Sequence, residues 1–339
     1  MMRRFLILLV LLVAVGVGSM TLMNRAWVAR GPGAGGATIL ITPRTASREI
    51  ARQLKAAGLL RNPLLYEAEL HLQGQAGKVK AGEYAFPGHA SMAEITAIMV
   101  LGKSIQHKIT IAEGLTSDMV HKLVEDDPLL TGNAGPVPAE GALLPETYLF
   151  TRGTARADLI ARMEKAQAQF LSREWGRREA GLPFANPEQA VIMASIIEKE
   201  SSLPEERRHI AAVFDNRLRD GMKLQSDPTI IYGITGGNPL GRPIRESEIT
   251  TQTPYNTYVI TGLPPTPICN PSKDSLIAAL DPEATPDLYF VANGKGGHNF
   301  AATEAEHDRN VKAYREVLKK QNPPPPPRKE TGKPPRHTR

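Results

Sequence analysis

The sequence predicts an α+β protein in three parts: an N-terminal transmembrane helix, a small strand-helix-helix-strand module, and a larger mixed α/β domain. Three observations carry that expectation. An uncharged, mostly apolar run fills Phe5 to Met23 behind Met1-Met2-Arg3-Arg4. A short strand, a turn, a Ser or Thr in capping position and a helix then recur three times between Ile39 and Val120. Beyond residue 106 the pattern becomes longer-range, with helical stretches separated by Pro- and Gly-rich loops.

The apolar run is nineteen residues long, about enough to cross a bilayer as a helix. A cleaved signal peptide is the rival reading, but its apolar core is normally shorter. Its cleavage site follows that core, whereas the nearest small-x-small option, Gly16 to Ser19, lies inside the run. The expectation is a single-pass anchor in the cell inner membrane through residues 5–23. Residues 1–4 stay cytoplasmic, and everything from Asn24 onward lies outside the cytoplasm. Residues 24–37, with Gly31-Pro-Gly-Ala-Gly-Gly36, read as a flexible linker.

The formal net charge of +6 suits an anionic polymer or a membrane surface as readily as a nucleic acid. Aromatic residues make up only 5%, and no basic run is interleaved with stacking aromatics, so nucleic acid is not the expected partner. Cys269 is the single cysteine, which excludes an intrachain disulfide and a thiol metal cluster. The eight histidines are dispersed without ligand spacing, and no P-loop, Gly-x-Ser-x-Gly elbow or His-Glu-x-x-His pair occurs. Neither a metal nor a cofactor is expected.

Residues 38–105 form the small module. Ile39 to Pro43 leads into a helix at Thr45 to Leu54 that ends by Gly58. Lys80 to Tyr84 restarts a strand, and Ser91 with Glu94 opens another helix. Thr116 is the third expected cap. In order and size the module resembles the LysM type of glycan-binding domain; a purely structural spacer is the alternative reading.

The larger domain is placed at 106–320. It should hold an amphipathic helix from Asp158 to Gln169 and a helical stretch from Pro204 to Gly221. A new element begins at Asp227-Pro228, a good cap and first-turn pair. An extended loop, Gly262 to Pro271, precedes a helix from Ser272 to Leu280 and a strand from Asp287 to Ala292. Gly294-Lys-Gly-Gly-His298 reads as a tight turn on a cleft rim, or weakly as a phosphate cradle. The tail at 321–339, with its five consecutive prolines, is expected to be disordered.

Val191 to Ser201 is the stretch with chemical content. At about 100° per residue, Met193, Ile196, Ile197 and Glu200 share one stripe, while Glu198 projects from nearly the opposite side. Glu198 should therefore be solvated. Glu200, held against an apolar wall, should have a raised pKa and serve as a proton donor near neutral pH. Alternatively it rims the core at a helix end with no chemical role.

Seven strings in order carry a family resemblance: Ala194-Ser-Ile-Ile-Glu-Lys-Glu200-Ser201, Phe214-Asp-Asn-Arg-Leu218, Leu224-Gln-Ser-Asp-Pro-Thr229, Thr253-Pro-Tyr-Asn-Thr-Tyr258, Gly262-Leu-Pro-Pro265, Ile268-Cys-Asn-Pro271 and Gly297-His298. Together they resemble the MltG (YceG-like) family of membrane-anchored endolytic murein transglycosylases. The resemblance implies that Glu200, the second glutamate of Glu-Lys-Glu, is catalytic, and that the substrate is peptidoglycan glycan strands. It also implies cleavage of the MurNAc-GlcNAc bond to a 1,6-anhydro end, a lyase reaction. Gln225, Asp227, Tyr255, Asn256 and Glu146 are the candidate substrate-binding residues, and wall-synthesis enzymes are candidate partners. Two departures stand out: Glu146 where aspartate is expected, and Thr266 where glycine is commoner. A two-carboxylate muramidase, with Asp227 or Glu146 assisting water, and a non-catalytic wall-binding scaffold are the competing readings.

Overall fold

In a computed structural model that describes residues 2–321, the apolar run becomes α1 (Met2–Val28). From Phe5 to Val28 it is long and apolar enough to cross a membrane. The helix runs on through residues 24–28, the first part of the expected linker. Trp27 explains why: it is 9% exposed and stacks on Tyr66 at 6.1 Å, so the last turn is held by the core that follows. The rest of the linker is short and tied down. Gly31 donates its N–H to His89 O at 3.1 Å, and the His89 N–H goes to Gly33 O.

The order along the chain continues with β1 (Ala37–Ile41), α2 (Ser47–Ala56), α3 (Pro63–Leu72), β2 (Gly82–Phe86), α4 (Met92–Leu101), β3 (His107–Thr110), α5 (Ser117–Asp126) and β4 (Thr147–Phe150). Then come α6 (Arg156–Trp175), α7 (Pro187–Glu200), α8 (Arg207–Arg219), α9 (Asp227–Thr235), α10 (Glu246–Thr250), α11 (Lys273–Leu280), β5 (Tyr289–Ala292), β6 (His298–Ala301) and α12 (Glu304–Gln321). Gln321 is thus helical, and the remainder of the expected tail lies outside the described residues.

Two compact units interleave along the sequence. The first comprises residues 1–111, 121–137 and 146–162. In it β1 and β2 pair antiparallel, from Ala37 opposite Phe86 to Ile41 opposite Gly82, with α2 and α3 between them in sequence. Ile50, Leu54, Tyr66, Leu70, Tyr84, Phe86, Ile95 and Met99 fill its core. A second ribbon, β3 with β4, belongs to the same unit. Glu83 on β2 accepts from His107 at 2.6 Å and from Arg152 at 3.1 Å. These ties join the ribbon to β2.

Of the expected caps, Ser91 closes a capping box with Glu94, and Thr116 Oγ1 accepts from Met119 N. Thr45 does not cap. Its hydroxyl turns back to Thr42 O, and Ala46 takes the capping position of α2 without a side-chain bond.

The second unit holds residues 112–120, 138–145 and those from 163 onward. Its axis is α7, which begins on an Asn186 cap that accepts from Gln189 N, with Pro187 in the first turn. Every residue from Ala190 to Ile197 is buried. Phe170 of α6, Ile210 and Phe214 of α8, and Leu276 and Leu280 of α11 complete the surrounding core. A helix buried on all sides has no solvated face, which corrects the expectation for Glu198. Its side chain is 6% exposed, with Arg207 at 3.5 Å and the Ser272 N–H at 2.9 Å. Opposite charge and hydrogen bonds, not water, hold it.

Candidate active site

Glu200 is the last residue of α7, where the helix leaves the core, and it retains part of its solvent exposure. Protein nevertheless crowds the carboxyl group. Desolvation is the largest influence on it and pushes its pKa up from the usual 4.5 to about 7. The Asp227 charge pushes the same way; the Ser226 hydrogen bond and the Arg217 charge pull against it. A carboxylic acid poised near neutrality can give a proton and then take one back.

Ser226 is the partner that sequence reasoning missed. It occupies the capping position of α9 without capping it, because its Oγ donates to Glu200 Oε1 at 2.5 Å. Two fully buried threonines hold it there. Ser226 N donates to Thr257 Oγ1 at 2.9 Å, Thr229 Oγ1 donates to Ser226 O at 2.7 Å, and the two threonine hydroxyls share a bond of 2.9 Å. Asp227, expected as the cap, sits one position later as the first residue of α9. It is exposed, and its Oδ1 accepts from Tyr258 Oη at 2.6 Å. Burial is the main cause of the raised Tyr258 pKa, and the bond to Asp227 adds to it.

Gln225 is exposed and lies in the left-handed region at φ 54°, with its N–H on Thr257 O at 3.1 Å. Its Oε1 accepts from Arg217 Nη1 at 3.4 Å. Arg217 is the second residue missed. It is 7% exposed, lies over the Tyr289 ring, and donates to Leu288 O at 2.6 Å and to Leu224 O at 2.8 Å. Burial lowers its pKa, while Tyr289, Tyr258 and Glu200 support its charge. An arginine within a helical run normally signals solvent, so its presence in the Phe214-Asp-Asn-Arg-Leu218 string was the available sign.

Asn256 does not present its amide to a cleft. It is 1% exposed, and Nδ2 donates to Glu248 O, Ile249 O and Thr251 O at 3.1, 3.0 and 2.8 Å. Oδ1 accepts from Tyr258 N at 3.0 Å. The amide is consumed in folding the loop that carries Thr257 and Tyr258, so its role is positional. Tyr255 is half-buried, its ring against Tyr232 at 5.0 Å and its hydroxyl bonded to Thr266 Oγ1 at 2.8 Å. The unusual Thr266 thus has a partner. Glu146 is exposed and belongs to the first unit.

Gly297 and His298 also have a definite place. His298 N donates to Glu206 Oε1 at 2.8 Å, and its Nδ1 meets Glu206 Oε2 at 2.7 Å. Ser201, the residue after Glu200, donates to the same carboxylate at 3.4 Å. A Cβ on Gly297 would stand 2.5 Å from Glu206 Oε1, so a side chain there requires the carboxylate that His298 and Ser201 bond to move. Gly294 and Gly296 have positive φ, as a tight turn between β5 and β6 requires.

The chain is 37% identical over 178 residues to the endolytic murein transglycosylase of Bacillus subtilis strain 168, covering 52% of this chain and 48% of that one. With the endolytic murein transglycosylase of Streptococcus pneumoniae D39 it shares 27% identity over 312 residues, covering 78% and 56%. It therefore spans about half the length of the curated relatives it matches. A solved YceG-like protein from Listeria monocytogenes, 29% identical, superposes with a TM-score of 0.49 over 81% of this chain and 99% of that one. The profile of the YceG-like family matches residues 39–313, from β1 through the elements that build the Glu200 site into α12, and the chain belongs to that family.

Proposed function

We propose that this chain is a membrane-anchored endolytic lytic transglycosylase that cleaves the MurNAc-GlcNAc β-1,4 bond of nascent murein strands. The observation that carries the reading is the Glu200 carboxyl group, desolvated to a pKa near 7, with the Ser226 hydroxyl donating to it and the Asp227 and Arg217 charges acting on it in opposite directions. Protonated Glu200 gives its proton to the leaving GlcNAc oxygen as the glycosidic bond breaks. The MurNAc C6 hydroxyl attacks the anomeric carbon, the Glu200 carboxylate takes the hydroxyl proton, and a 1,6-anhydro end results. Because the nucleophile is part of the substrate, effective molarity replaces a bound water. Ser226 steadies the carboxylate between the two transfers, and burial, with a smaller contribution from the Asp227 charge, keeps the acid protonated beforehand. Gln225 and Asp227, which flank Ser226 and are both exposed, are the side chains that meet sugar hydroxyls, through the polar atoms not already bonded to Arg217 and Tyr258.

Within this reading, α1 is a single-pass anchor with the rest of the chain on the extracytoplasmic side. Residues 38–105 act as a LysM-like glycan-binding module, and wall-synthesising enzymes are the neighbours that supply nascent strands. Asp227 also supports a second reading, a hydrolase in which it activates water. Digestion of purified glycan strands by the wild type and by Glu200→Gln, with product masses measured, tests both. Products one water lighter than hydrolysis products, absent with the variant, are expected. Full-mass products would make the enzyme a muramidase, and cleavage undiminished in Glu200→Gln would remove the catalytic role.

A further inference from the structure

The last turn of α1 opens onto a cavity of about 210 Å³ whose walls include Arg30, Arg61, Leu60, Leu65 and Met92. No acidic residue lines it. Arg30 and Arg61 are both exposed, and neither makes a hydrogen bond or a close ion pair among the described residues. The nearest acid with a bearing on Arg30 is Glu94, whose carboxylate is already committed to the Ser91 capping box. That bonding, with a smaller contribution from Arg30, holds its pKa below the ordinary range. Two cations therefore face a small cavity with an apolar floor and no internal counter-charge.

Position supplies the occupant. At 1.5 Å per residue the Phe5–Val28 stretch is about 36 Å long, against about 30 Å for a bilayer's hydrocarbon core. With α1 across the membrane, its final turn and the cavity lie at headgroup depth. The N-terminal end of α3 borders the same cavity through Asn62 and Leu65, and Leu64 in its first turn is 65% exposed. The buried Trp27, stacked on Tyr66, fixes α1 to the unit that carries both arginines.

We infer that this cavity binds one anionic phospholipid. Its phosphate lies between Arg30 and Arg61, and the start of an acyl chain lies against Leu60, Leu65 and Met92. A free phosphate ion would use the arginines but not the floor. The site holds the first unit against the membrane surface and so limits how far from the bilayer the chain can work. This inference rests on the anchor reading of α1.

The test is native mass spectrometry of the full chain released from nanodiscs of equal parts phosphatidylglycerol and phosphatidylcholine. The wild type should retain one phosphatidylglycerol with enrichment on the order of tenfold over phosphatidylcholine. Arg30→Ala/Arg61→Ala should lose that enrichment, and Arg48→Ala, an exposed charge removal on α2, should keep it. Equal retention of both lipids, or equal losses in the Arg48 and the Arg30/Arg61 variants, would overturn the site. Displacement of the lipid by excess inorganic phosphate would overturn the lipid assignment. A chain that never enters the nanodisc would overturn the anchor itself, a separate and visible failure.

Discussion

Replacing Glu200 with glutamine tests the held proton while keeping the side chain's shape. Glutamine Oε1 can still accept from Ser226 Oγ, so packing and the local hydrogen bond survive. The wild-type carboxyl group titrates near 7 in the folded chain against about 4.5 when unconstrained. As pH rises, the unfolded state gives up this proton first. Wild-type stability therefore falls between about pH 4.5 and pH 7, and the whole deficit is present above 7. The gap corresponds to about 3 kcal/mol at pH 8 and under about 1 kcal/mol at pH 5, as upper figures. Glutamine carries no such deficit, so the variant should be the more stable protein, by much more at pH 8 than at pH 5. Trp27 belongs to the first unit and Trp175 to the second. In a Trp27→Phe background, urea unfolding followed by fluorescence thus reports the unit that contains Glu200. A stability difference that is the same at both pH values would refute the claim that burial holds a proton on Glu200.

The neighbours of Glu200 should move its titration in opposite directions. Ser226→Ala removes a bond that favours the charged form and should shift the alkaline limb of kcat/KM to higher pH, whereas Asp227→Asn should shift it lower. Profiles measured on soluble glycan strands check both signs. Asn256→Ala removes the buried amide that ties three loop carbonyls together and should cost about 1–3 kcal/mol in urea unfolding, with kcat falling as the Thr257 loop loosens. Gly297→Ala forces a methyl group against the Glu206 carboxylate and should destabilise by about 1–3 kcal/mol in thermal unfolding. If that variant unfolds at the wild-type temperature, the His298-Glu206 contact is not a structural constraint.

Helix periodicity located Glu200 but misjudged its companion, and both outcomes share a cause. The apolar stripe in Val191 to Ser201 was real, yet Ala194, Ser195 and Ile192 are small or apolar enough to bury the other faces too. A pattern method assumes that the face opposite a stripe meets water. Around α7 it meets α8 and α11, and Glu198 survives there only because Arg207 and Ser272 come from elsewhere in the chain. Arg217 and Asn256 show the converse. Each has a residue type associated with solvent or ligands, and each spends its donors on backbone carbonyls that no linear pattern reveals. The linker failed differently: glycine content suggested freedom, but Trp27 is not a linker residue, and its burial carries the helix into the folded unit.

The pKa of Glu200 is set by adjacent residues of opposite effect, and this makes the start of α9 more than a cap. Ser226 lowers the pKa and Asp227 raises it, so a shift of one residue in register would exchange a donor for a like charge at the carboxyl group. Proline at 228 suits only the first turn of a helix, which fixes where α9 begins. Thr229 and Thr257 then fix the rotation of the residue before it, through bonds to Ser226 O and N. Asn256 in turn fixes Thr257 by folding its loop onto Glu248, Ile249 and Thr251. One residue of α9, Thr229, and two loop residues, Asn256 and Thr257, thus determine which side chain meets the carboxyl group, and strings as plain as Ser-Asp-Pro-Thr and Tyr-Asn-Thr-Tyr act as one device for holding a proton at neutral pH.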